Sequence, residues 1–340
     1  MIFVTGGTGF IGAHFLFHLL EEGKEVIALR RSGSNLDYVK KVFSWYTTDY
    51  DSYLNKINWV EGNIDNLYPL YNDLNNVDLI IHLAAMVSFD PSDKYKMLEA
   101  NIQGTANMVD LALEKGIPHF IYVSSVAALD PEKQGGYITE EAFGNNPIRN
   151  SAYGESKFKS ELEVWRGIEE GLNALIVSPS VVLGPGLPMD GFGRILSRVK
   201  KGLKYYPSGI TGFVDVRDVC MATWDLYKRA RFNERFILSE GNYSYKEILT
   251  FISKEYGVKP PYKPLNKKLT GTAWRLDGLR RKLSGGKALI TKEMHASAHN
   301  KVYFTTDKIR KVLNYEFVSI PQSVKDMIVF TGQNHKGSHD

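Results

Sequence analysis

The sequence predicts an α/β protein built on a doubly wound parallel sheet, with a smaller and mostly helical lobe toward the C-terminus. Short apolar runs alternate with amphipathic helical segments as far as about residue 184, and helical segments predominate after it. A cluster of glycines directly follows the first apolar run. In such a sheet both faces are covered by helices, and ligands bind outside the carboxyl ends of the strands. The residues that follow each strand are therefore candidates for a site.

Composition narrows the class of protein. The chain has 340 residues, of which 43% are hydrophobic and 24% charged, as is usual for soluble globular proteins. A first strand at residue 2 leaves no room for a signal peptide, and no apolar run approaches the ~18 residues of a membrane span. A single cysteine, Cys220, excludes an intramolecular disulfide, and its helical surroundings predict a buried structural thiol. Together these features predict a cytoplasmic location.

The first candidate site is the glycine cluster between the strand at residues 2–4 and the following helical segment. Unpaired N–H groups at a helix N-terminus attract an anion, and glycines let the backbone approach a pyrophosphate. The spacing fits both G-x-G-x-x-G from Gly7 and a three-residue repeat from Gly6. We therefore predict a dinucleotide site here, the alternative being a plain turn. The predicted residues are Thr5, Gly6, Gly7, Thr8, Gly9, Phe10, Ile11 and Gly12.

The remaining elements follow from local periodicity. Strands are predicted at 25–30, 57–62, 77–85, 119–129 and 173–182, with helices at 94–116 and 151–171. After a loop at 184–188 come helical segments at 192–207, 213–230 and 244–257, and a strand at 235–239. We predict a dinucleotide-binding domain at 1–183 plus 213–240 and a substrate-binding lobe at 184–212 plus 241–330. A polar tail at 331–340 is predicted to be disordered.

A helical segment carries the candidate catalytic pair, Tyr153 and Lys157, which are four residues apart and so share one face. Tyrosine has a reference pKa near 10, and a nearby ammonium favours the phenolate, which makes the hydroxyl a usable general acid/base. Of the nineteen tyrosines, only Tyr153 has a lysine four residues later. Ser125 ends a predicted strand, where its hydroxyl could hold a carbonyl oxygen. The alternatives are an incidental pair and a serine that merely precedes a turn.

In order along residues 1–240, these motifs resemble the extended short-chain dehydrogenase/reductase family. The family's motifs read "TGGTGFIG", "EGNIDN", "HLAA", "NIQGTAN", "YVSSVAAL", "YGESK", "SPSVVLGPG" and "FVDVRDV". The resemblance implies a Rossmann-type fold in which Tyr153 is the general acid/base and Ser125 polarises the substrate oxygen. It implies that Lys157 binds the nicotinamide ribose and tunes Tyr153, and that Asn101, through water, helps to replenish the proton. Further implied cofactor-binding residues are Asn63, Ile64, Asp65, Leu83, Ala84, Ala85, Val123, Pro179, Ser180 and Val181.

The end of the second predicted strand bears on the choice of cofactor. An acidic residue there would accept hydrogen bonds from the adenosine ribose 2′-hydroxyl and favour NAD. The chain instead has Arg30, Arg31 and Ser32, and a guanidinium can bind a 2′-phosphate through a charge-assisted fork. We predict NADP(H) rather than NAD(H), the alternative being a solvated arginine pair.

Departures from the family motifs bear on the reaction. Val126 and Ala127 follow Ser125, where the dehydratase branch has an acidic pair, and Ser178 and Ser180 flank Pro179, where nucleotide-sugar enzymes often carry arginine and asparagine. The sequence is more similar to the dihydroflavonol 4-reductase and 3β-hydroxysteroid dehydrogenase branch. We therefore predict reduction of a ketone to an alcohol, or the reverse, on a small ring-type substrate. The alternatives are a nucleotide-sugar epimerase with tightly bound NAD(P) and a non-catalytic NADP(H)-binding regulator. Expected substrate contacts are Met86, Val87, Ser88, Phe89, Ser125 and Phe213.

Charge is unevenly distributed. Nine Lys/Arg against Asp277 alone give residues 259–287 a local charge of +8, although the whole chain carries only +4. The leucines of this segment fall on one helical face: Leu269, Leu276, Leu279 and Leu283. Such a helix can contact a membrane surface or an anionic substrate, but we favour a solvated helix that covers a pocket. We therefore do not expect membrane contact. Nucleic-acid binding is not expected either, since aromatic residues do not interleave with the cations as a stacking platform requires. A homodimer is an expectation from the family only.

Two histidine pairs have the i, i+4 spacing that can hold zinc, namely His14 with His18 and His295 with His299. No glutamate follows His14 or His295, and no third ligand is evident. We therefore predict no metal site.

Overall fold

The structure is a computed structural model that describes residues 1–67, 70–130, 136–142, 151–189, 191–284 and 291–333. From residue 334 onward, the tail predicted to be disordered lies outside the described residues. No helix within these ranges is long and apolar enough to cross a membrane.

Strands and helices alternate along the described chain. The strands are β1 (Ile2–Thr5), β2 (Val26–Arg30), β3 (Ile57–Glu61), β4 (Leu79–His82), β5 (His119–Val123), β6 (Tyr137–Ile138), β7 (Asn173–Pro179), β8 (Val181–Leu183), β9 (Tyr205–Tyr206), β10 (Ile210–Asp215), β11 (Glu234–Leu238), β12 (Gly241–Ser244), β13 (Lys263–Pro264) and β14 (Tyr303–Phe304). The helices are α1 (Phe10–Glu21), α2 (Asp37–Tyr46), α3 (Tyr50–Asn55), α4 (Lys94–Lys115), α5 (Ala152–Glu169), α6 (Arg194–Lys200), α7 (Val216–Lys228), α8 (Tyr245–Glu255), α9 (Lys267–Ser284), α10 (Lys292–His299), α11 (Asp307–Leu313) and α12 (Ile320–Gln333).

The main sheet has seven strands in the order β3-β2-β1-β4-β5-β7-β11, and every pairing is parallel. The chain starts in the middle, builds outward through β2 and β3, and then returns to the other side of β1 through β4. Strand order therefore reverses between β1 and β4, where Val4 pairs with Ile81. A crevice at such a reversal, outside the carboxyl ends, is where sheets of this type bind ligands.

Both faces of this sheet are covered. Val4, together with the strand residues that point to the same face of the sheet, packs with α1 and α7 in one core cluster. Phe3 points to the other face and packs with α4 and α5 in a second cluster. Because successive side chains of a strand point to opposite faces, a strand covered on both sides must be apolar throughout. This explains the apolar runs and confirms the predicted doubly wound α/β fold.

Three predicted strands end at least three residues earlier than expected, and the first of them, predicted at 77–85, ends at His82. The strand predicted at 119–129 ends at Val123, because the Ser125 hydroxyl accepts from Ala127 N (3.2 Å) and caps a single 3₁₀ turn. The strand predicted at 173–182 divides into β7 of the main sheet and β8, which pairs with β10 in a separate sheet. The latter two breaks turn the chain away from the main sheet at its carboxyl edge.

The C-terminal region has a third core cluster of its own. It combines residues of the small β12-β10-β8 sheet with the apolar faces of α6, α8 and α12, and includes Leu196, Phe213, Ile252 and Val324. The basic helix α9 lies outside this cluster and contacts α10. Its residues Leu269 and Leu276 are 70% and 61% exposed, and a solvated helix that covers a pocket stays a prediction.

Candidate active site

The glycine loop joins β1 to α1 and presses against the exit of β4. Gly6 has a φ of +73°, and Gly9 N donates to Gly6 O (2.9 Å) to close the turn. A Cβ on Gly12 would lie 2.1 Å from Gly6 O, and one on Gly6 would lie 2.7 Å from Ala84 N. Side chains at these two positions would therefore collide with backbone, which explains the need for glycine.

The start of α1 is suited to an anion. Gly9 occupies the N-cap and has no side chain that could cap the helix, so the first-turn N–H groups are left to an external acceptor. Residues 10–13 contain no acidic side chain that would repel one. A helix N-terminus of this kind fits the pyrophosphate of a dinucleotide.

At the exit of β2, Arg30 is partly buried while Arg31 and Ser32 are exposed. Among the residues that the structure describes, the Arg30 Nε is buried and has no hydrogen-bond partner. A buried donor without an acceptor costs free energy, so this guanidinium is suited to a bound anion. At the neighbouring exit of β3, Asp65 is exposed and accepts from Asn63 Nδ2 (2.8 Å).

His82, which our sequence reasoning missed, ties this edge of the sheet together. Its Nδ1 lies 2.7 Å from Thr5 Oγ1 and its Nε2 lies 3.2 Å from Thr105 Oγ1. Thr105 uses its own proton on Asn101 O (2.7 Å), so Nε2 carries the imidazole proton and Nδ1 accepts from Thr5. Burial, aided by Lys157, lowers the pKa of His82 to about 3. The only sequence signal was a polar residue that ends an apolar strand.

Tyr153 and Ser125 come together where β5 leaves the sheet. Their hydroxyl groups form a hydrogen bond, which opposes the effect of burial on the phenol. Burial is the larger effect and raises the pKa of Tyr153 to about 12. We expected Lys157 to make this phenol more acidic, whereas burial makes it less acidic, because loss of hydration disfavours the phenolate.

Lys157 lies one turn further along α5 and is buried. Its Nζ donates to Val123 O (2.8 Å) and lies 4.9 Å from the centroid of the Tyr122 ring. Burial lowers the pKa of Lys157 to about 8, although Glu161 partly opposes this shift. The ammonium is thus held at the exit of β5.

The sequence analysis also missed a buried polar group that holds Ser124, the residue directly after β5. The Ser124 hydroxyl donates to Glu161 Oε2 (2.8 Å), and Glu161 forms a buried ion pair with Arg235. Arg235 also donates to the carbonyl groups of Glu140 and Ala142. A carboxylate inside a core needs a cation as partner. A glutamate on the apolar face of α5 was therefore the sequence signal that could have indicated this buried ion pair.

The side chain of Asn101 is held by two different segments. Its Oδ1 accepts from Met86 N (2.7 Å), and its Nδ2 donates to Met86 O and Ser156 Oγ (3.0 Å each). Ser156 in turn donates to Tyr153 O (2.7 Å). Both amide hydrogens are engaged, so in this conformation Asn101 holds the segment after β4 against the start of α5.

The segment after β4 forms an open rim. Val87 and Phe89 are 59% and 47% exposed, Met86 is partly buried, and Ser88 donates to Asp93 Oδ2 (2.6 Å). Phe213 does not belong to this rim: its ring is fully buried in the third cluster, against aromatic neighbours. The expectation that Phe213 contacts substrate is therefore wrong, because β10 turns this side chain into the core.

The other predicted cofactor-binding residues lie at the same carboxyl edge. Leu83, Ala84 and Ala85 follow β4 and are partly buried, and Ile64 O accepts from Asn107 Nδ2 (2.8 Å). The Ser180 hydroxyl, between β7 and β8, lies 3.1 Å from Ser239 Oγ. Thr8, Phe10, Ile11 and Val181 are partly buried, whereas Val123 and Pro179 are buried strand ends.

Three of these four histidines, His14, His295 and His299, form hydrogen bonds with other groups. His14 Nε2 donates to Pro185 O (2.9 Å) and its Nδ1 accepts from the Tyr46 hydroxyl. His295 Nδ1 and His299 Nε2 each lie 2.9 Å from Thr270 Oγ1. Within the described ranges, no three His, Cys, Asp or Glu side chains are grouped as metal ligands would be.

The sequence is similar to those of several known proteins. The sequence model of the NAD dependent epimerase/dehydratase family matches residues 2–237. A putative dihydroflavonol 4-reductase of Synechocystis sp. is 30% identical, with 98% of this chain and 94% of that protein covered.

Solved structures share the fold over the whole chain. The crystal structure of gox2253 superposes with a TM-score of 0.82 at 27% identity, with 98% of both chains covered. Yeast methylglyoxal/isovaleraldehyde reductase complexed with NADPH has a TM-score of 0.74 at 18% identity, with 98% of this chain and 99% of that chain covered. At 18% identity, the similarity to the yeast reductase shows a shared fold alone.

Proposed function

The chain belongs to the NAD dependent epimerase/dehydratase family, and within it we propose a reductase that uses NADP(H) to convert a ketone into an alcohol, or the reverse. The family places the protein among the NAD(P)-dependent enzymes of the extended short-chain dehydrogenase/reductase type, which act on CH–OH and carbonyl groups. The observation that carries the finer proposal is that the Ser125 and Tyr153 hydroxyls meet at the exit of β5, the strand end where Lys157 donates to Val123 O. A small ring-type substrate is proposed from the similarity to the dihydroflavonol 4-reductase.

The proposed roles of Ser125 and Tyr153 follow from the protons that their hydroxyl groups can donate. When bound, the nicotinamide cofactor supplies the hydride. The Ser125 hydroxyl donates to the substrate carbonyl and stabilises the negative charge that develops on its oxygen. With a pKa of about 12, Tyr153 holds its proton at neutral pH and can donate it to a developing alkoxide.

Lys157 and Asn101 have supporting roles in the proposal. Below a pH of about 8 the Lys157 ammonium is charged, so it can bind ribose hydroxyls and oppose the build-up of negative charge on Tyr153. Asn101 keeps the predicted role of helping to replenish the proton, and its bonds to Met86 and Ser156 also position the segment after β4.

For the cofactor we propose a site along the strand exits. The pyrophosphate lies on the loop Gly6–Gly12, the adenine side reaches Asp65, and the nicotinamide lies near Lys157 and the turn at 179–181. The free Arg30 Nε supports a 2′-phosphate beside it, which favours NADP(H) over NAD(H).

For the substrate we propose entry at the rim formed by Met86–Phe89. Residues 184–212 and 241–330 are proposed as the substrate lobe, with residues 1–183 and 213–240 as the dinucleotide-binding domain. Most of the third core cluster lies in this lobe, with Leu183 and Phe213 joining it from the dinucleotide-binding domain. This supports the division, since a lobe with largely its own core can vary without disturbing the sheet.

The variant Tyr153→Phe tests the proposed mechanism. It removes the proton donor while keeping the ring, so we expect turnover with a panel of ketones to fall roughly 100-fold or more. NADPH binding, followed by fluorescence, should be unchanged. The matched control is Tyr95→Phe, which alters an exposed tyrosine on α4.

Retained turnover in Tyr153→Phe would contradict the assigned role. The same assays test the reaction class. Oxidised cofactor released on denaturation, together with product formation without net NADPH consumption, would support an epimerase and contradict the reductase.

A further inference from the structure

Helix α9 has one packed side and one open side. Gly271 and Asp277 are buried, and Thr270 contacts the histidines of α10 through its hydroxyl group. Leu269 and Leu276 lie on the opposite side, seven residues apart and therefore almost in line along the helix. They are 70% and 61% exposed, so two large apolar side chains stand in solvent with no core to cover them.

Cations accompany these leucines. Lys268 and Arg275 each immediately precede a leucine, so they form a parallel row on the neighbouring side, and both are exposed. Lys267 and Arg280 are exposed on the same helix. The one acidic residue, Asp277, is turned inward and pairs with Arg280 (2.8 Å). The outward side of α9 thus combines apolar and positively charged groups.

The wider distribution of charge is equally uneven. Residues 259–287 contain nine Lys/Arg against one Asp and carry +8, which leaves −4 on the rest of a chain whose total is +4. The positive charge of residues 259–287 therefore coincides with the segment that exposes Leu269 and Leu276.

We propose that α9 docks the protein on an anionic lipid bilayer. The leucines enter the boundary between headgroups and acyl chains, while Lys268, Arg275 and their neighbours bind lipid phosphates. A second copy docked through the same face fits poorly, because it would bring +8 against +8. Nucleic acid would satisfy the cations but leave the leucines in water. A lipid surface accounts for both groups.

Vesicle flotation with the full chain tests the proposal. We expect the protein to float with vesicles of phosphatidylcholine mixed with phosphatidylglycerol, and to remain unbound with phosphatidylcholine alone. High salt should release it, because screening weakens each phosphate contact. Equal behaviour with both vesicle types, or no flotation with either, would overturn the proposal.

Two double variants separate the apolar from the charged contribution. Lys268→Gln with Arg275→Gln removes two cations and should weaken partitioning into anionic vesicles roughly 30-fold. Leu269→Ser with Leu276→Ser should weaken it about tenfold or more through lost apolar burial. Controls are Lys40→Gln with Lys96→Gln and, separately, Leu162→Ser, which change exposed residues on other helices.

The outcomes distinguish the possible occupants. Controls that bind like the parent while both α9 variants lose binding support the proposal. A charge-dependent interaction with an oligonucleotide that is indifferent to the leucine variants, without vesicle binding, would overturn it in favour of nucleic acid. A dimer in sedimentation velocity that the leucine variants dissociate would overturn it in favour of self-association. All variants should bind NADPH as the parent does, which confirms that they are folded.

Discussion

Arg30 shows how one side chain can decide between related cofactors. It stands where β2 ends, with a buried Nε that has no partner among the described residues. A carboxylate in this place would accept from a ribose 2′-hydroxyl and repel a 2′-phosphate, whereas a guanidinium does the opposite. The proposed preference for NADP(H) therefore depends mainly on this position.

The variant Arg30→Asp should reverse the preference. Loss of charge-assisted hydrogen bonds of about 1.5–3 kcal/mol corresponds to a decrease in NADPH affinity of roughly 10- to 100-fold, with little loss for NADH. Fluorescence titration with NADPH and with NADH measures the two affinities. The matched control is Arg198→Asp, on the exposed side of α6. Unchanged NADPH affinity in Arg30→Asp would contradict the assignment.

At the scale of elements, the junction of β1 and α1 determines how the site is built. Its turn places the backbone of Gly6 against both Gly12 and the start of the segment after β4. The same backbone that closes the turn therefore also sets the crevice in which a dinucleotide would lie. A side chain at Gly12 would disturb both.

Gly12→Ala tests this arrangement. The added Cβ would lie 2.1 Å from Gly6 O, so the loop must shift, and we expect NADPH affinity to fall roughly 100-fold and stability to fall by about 2 kcal/mol. Gly332→Ala in α12 is the control, because a Cβ there meets open space. Calorimetric titration and urea unfolding measure the two effects. Parent-like NADPH affinity in Gly12→Ala would show that the loop tolerates a side chain.

Helix α1 also contains a histidine that should make the fold sensitive to acid. Burial lowers the pKa of His14 to about 4 from 6.5, and its Nδ1 accepts from Tyr46. Between pH 6.5 and 4 the unfolded chain binds a proton at this position that the folded chain does not, so stability falls as pH falls. The contribution of His14 is about 1.4 kcal/mol per pH unit.

His14→Gln should therefore flatten this dependence. At neutral pH the variant is less stable, because the bonds to Tyr46 and Pro185 are altered. Relative to the parent it should recover roughly 1.4 kcal/mol for each unit between pH 6 and 4.5. Urea unfolding across this range measures the difference, and parallel pH profiles would contradict the assignment.

At the scale of the whole molecule, α7 connects the main sheet to the C-terminal segment. Asp218 on α7 accepts from the Tyr315 hydroxyl (3.0 Å) and from Val318 N (2.9 Å), nearly a hundred residues later in the chain. Burial, followed by the charge of Asp215, raises the pKa of Asp218 to about 7 from 3.8. The two hydrogen bonds favour the ionised carboxylate, but burial outweighs them, so the folded chain is more stable when this carboxyl group keeps its proton.

The sign of this pH dependence is opposite to that of His14. Between pH 4 and 7 the folded chain holds a proton on Asp218 that the unfolded chain releases, so this stabilisation is lost as pH rises. Asp218→Asn cannot ionise and should gain about 3 kcal/mol relative to the parent between pH 5 and 7. Unfolding by urea at both pH values, with Asp225→Asn on the exposed side of α7 as control, measures the gain. A constant difference between parent and variant would contradict the raised pKa.

Much of this protein follows from local spacing in the sequence. Apolar periodicity predicts the strands and helices of the main sheet, and the glycine spacing predicts the β1–α1 turn. The i, i+4 spacing predicts that Tyr153 and Lys157 share a helical face. These features can be predicted because a turn of helix or a step of strand brings near neighbours in sequence to defined positions.

Only the tertiary structure decided the features that depend on distant partners. His82 between Thr5 and Thr105, and Glu161 paired with Arg235 seventy-four residues away, are contacts that no local pattern encodes. The direction of the Tyr153 pKa shift, the burial of Phe213 and the exposure of Leu269 also required the packed molecule. The physical reason is that loss of hydration depends on which elements pack together, whereas periodicity shows only which face of each element is apolar.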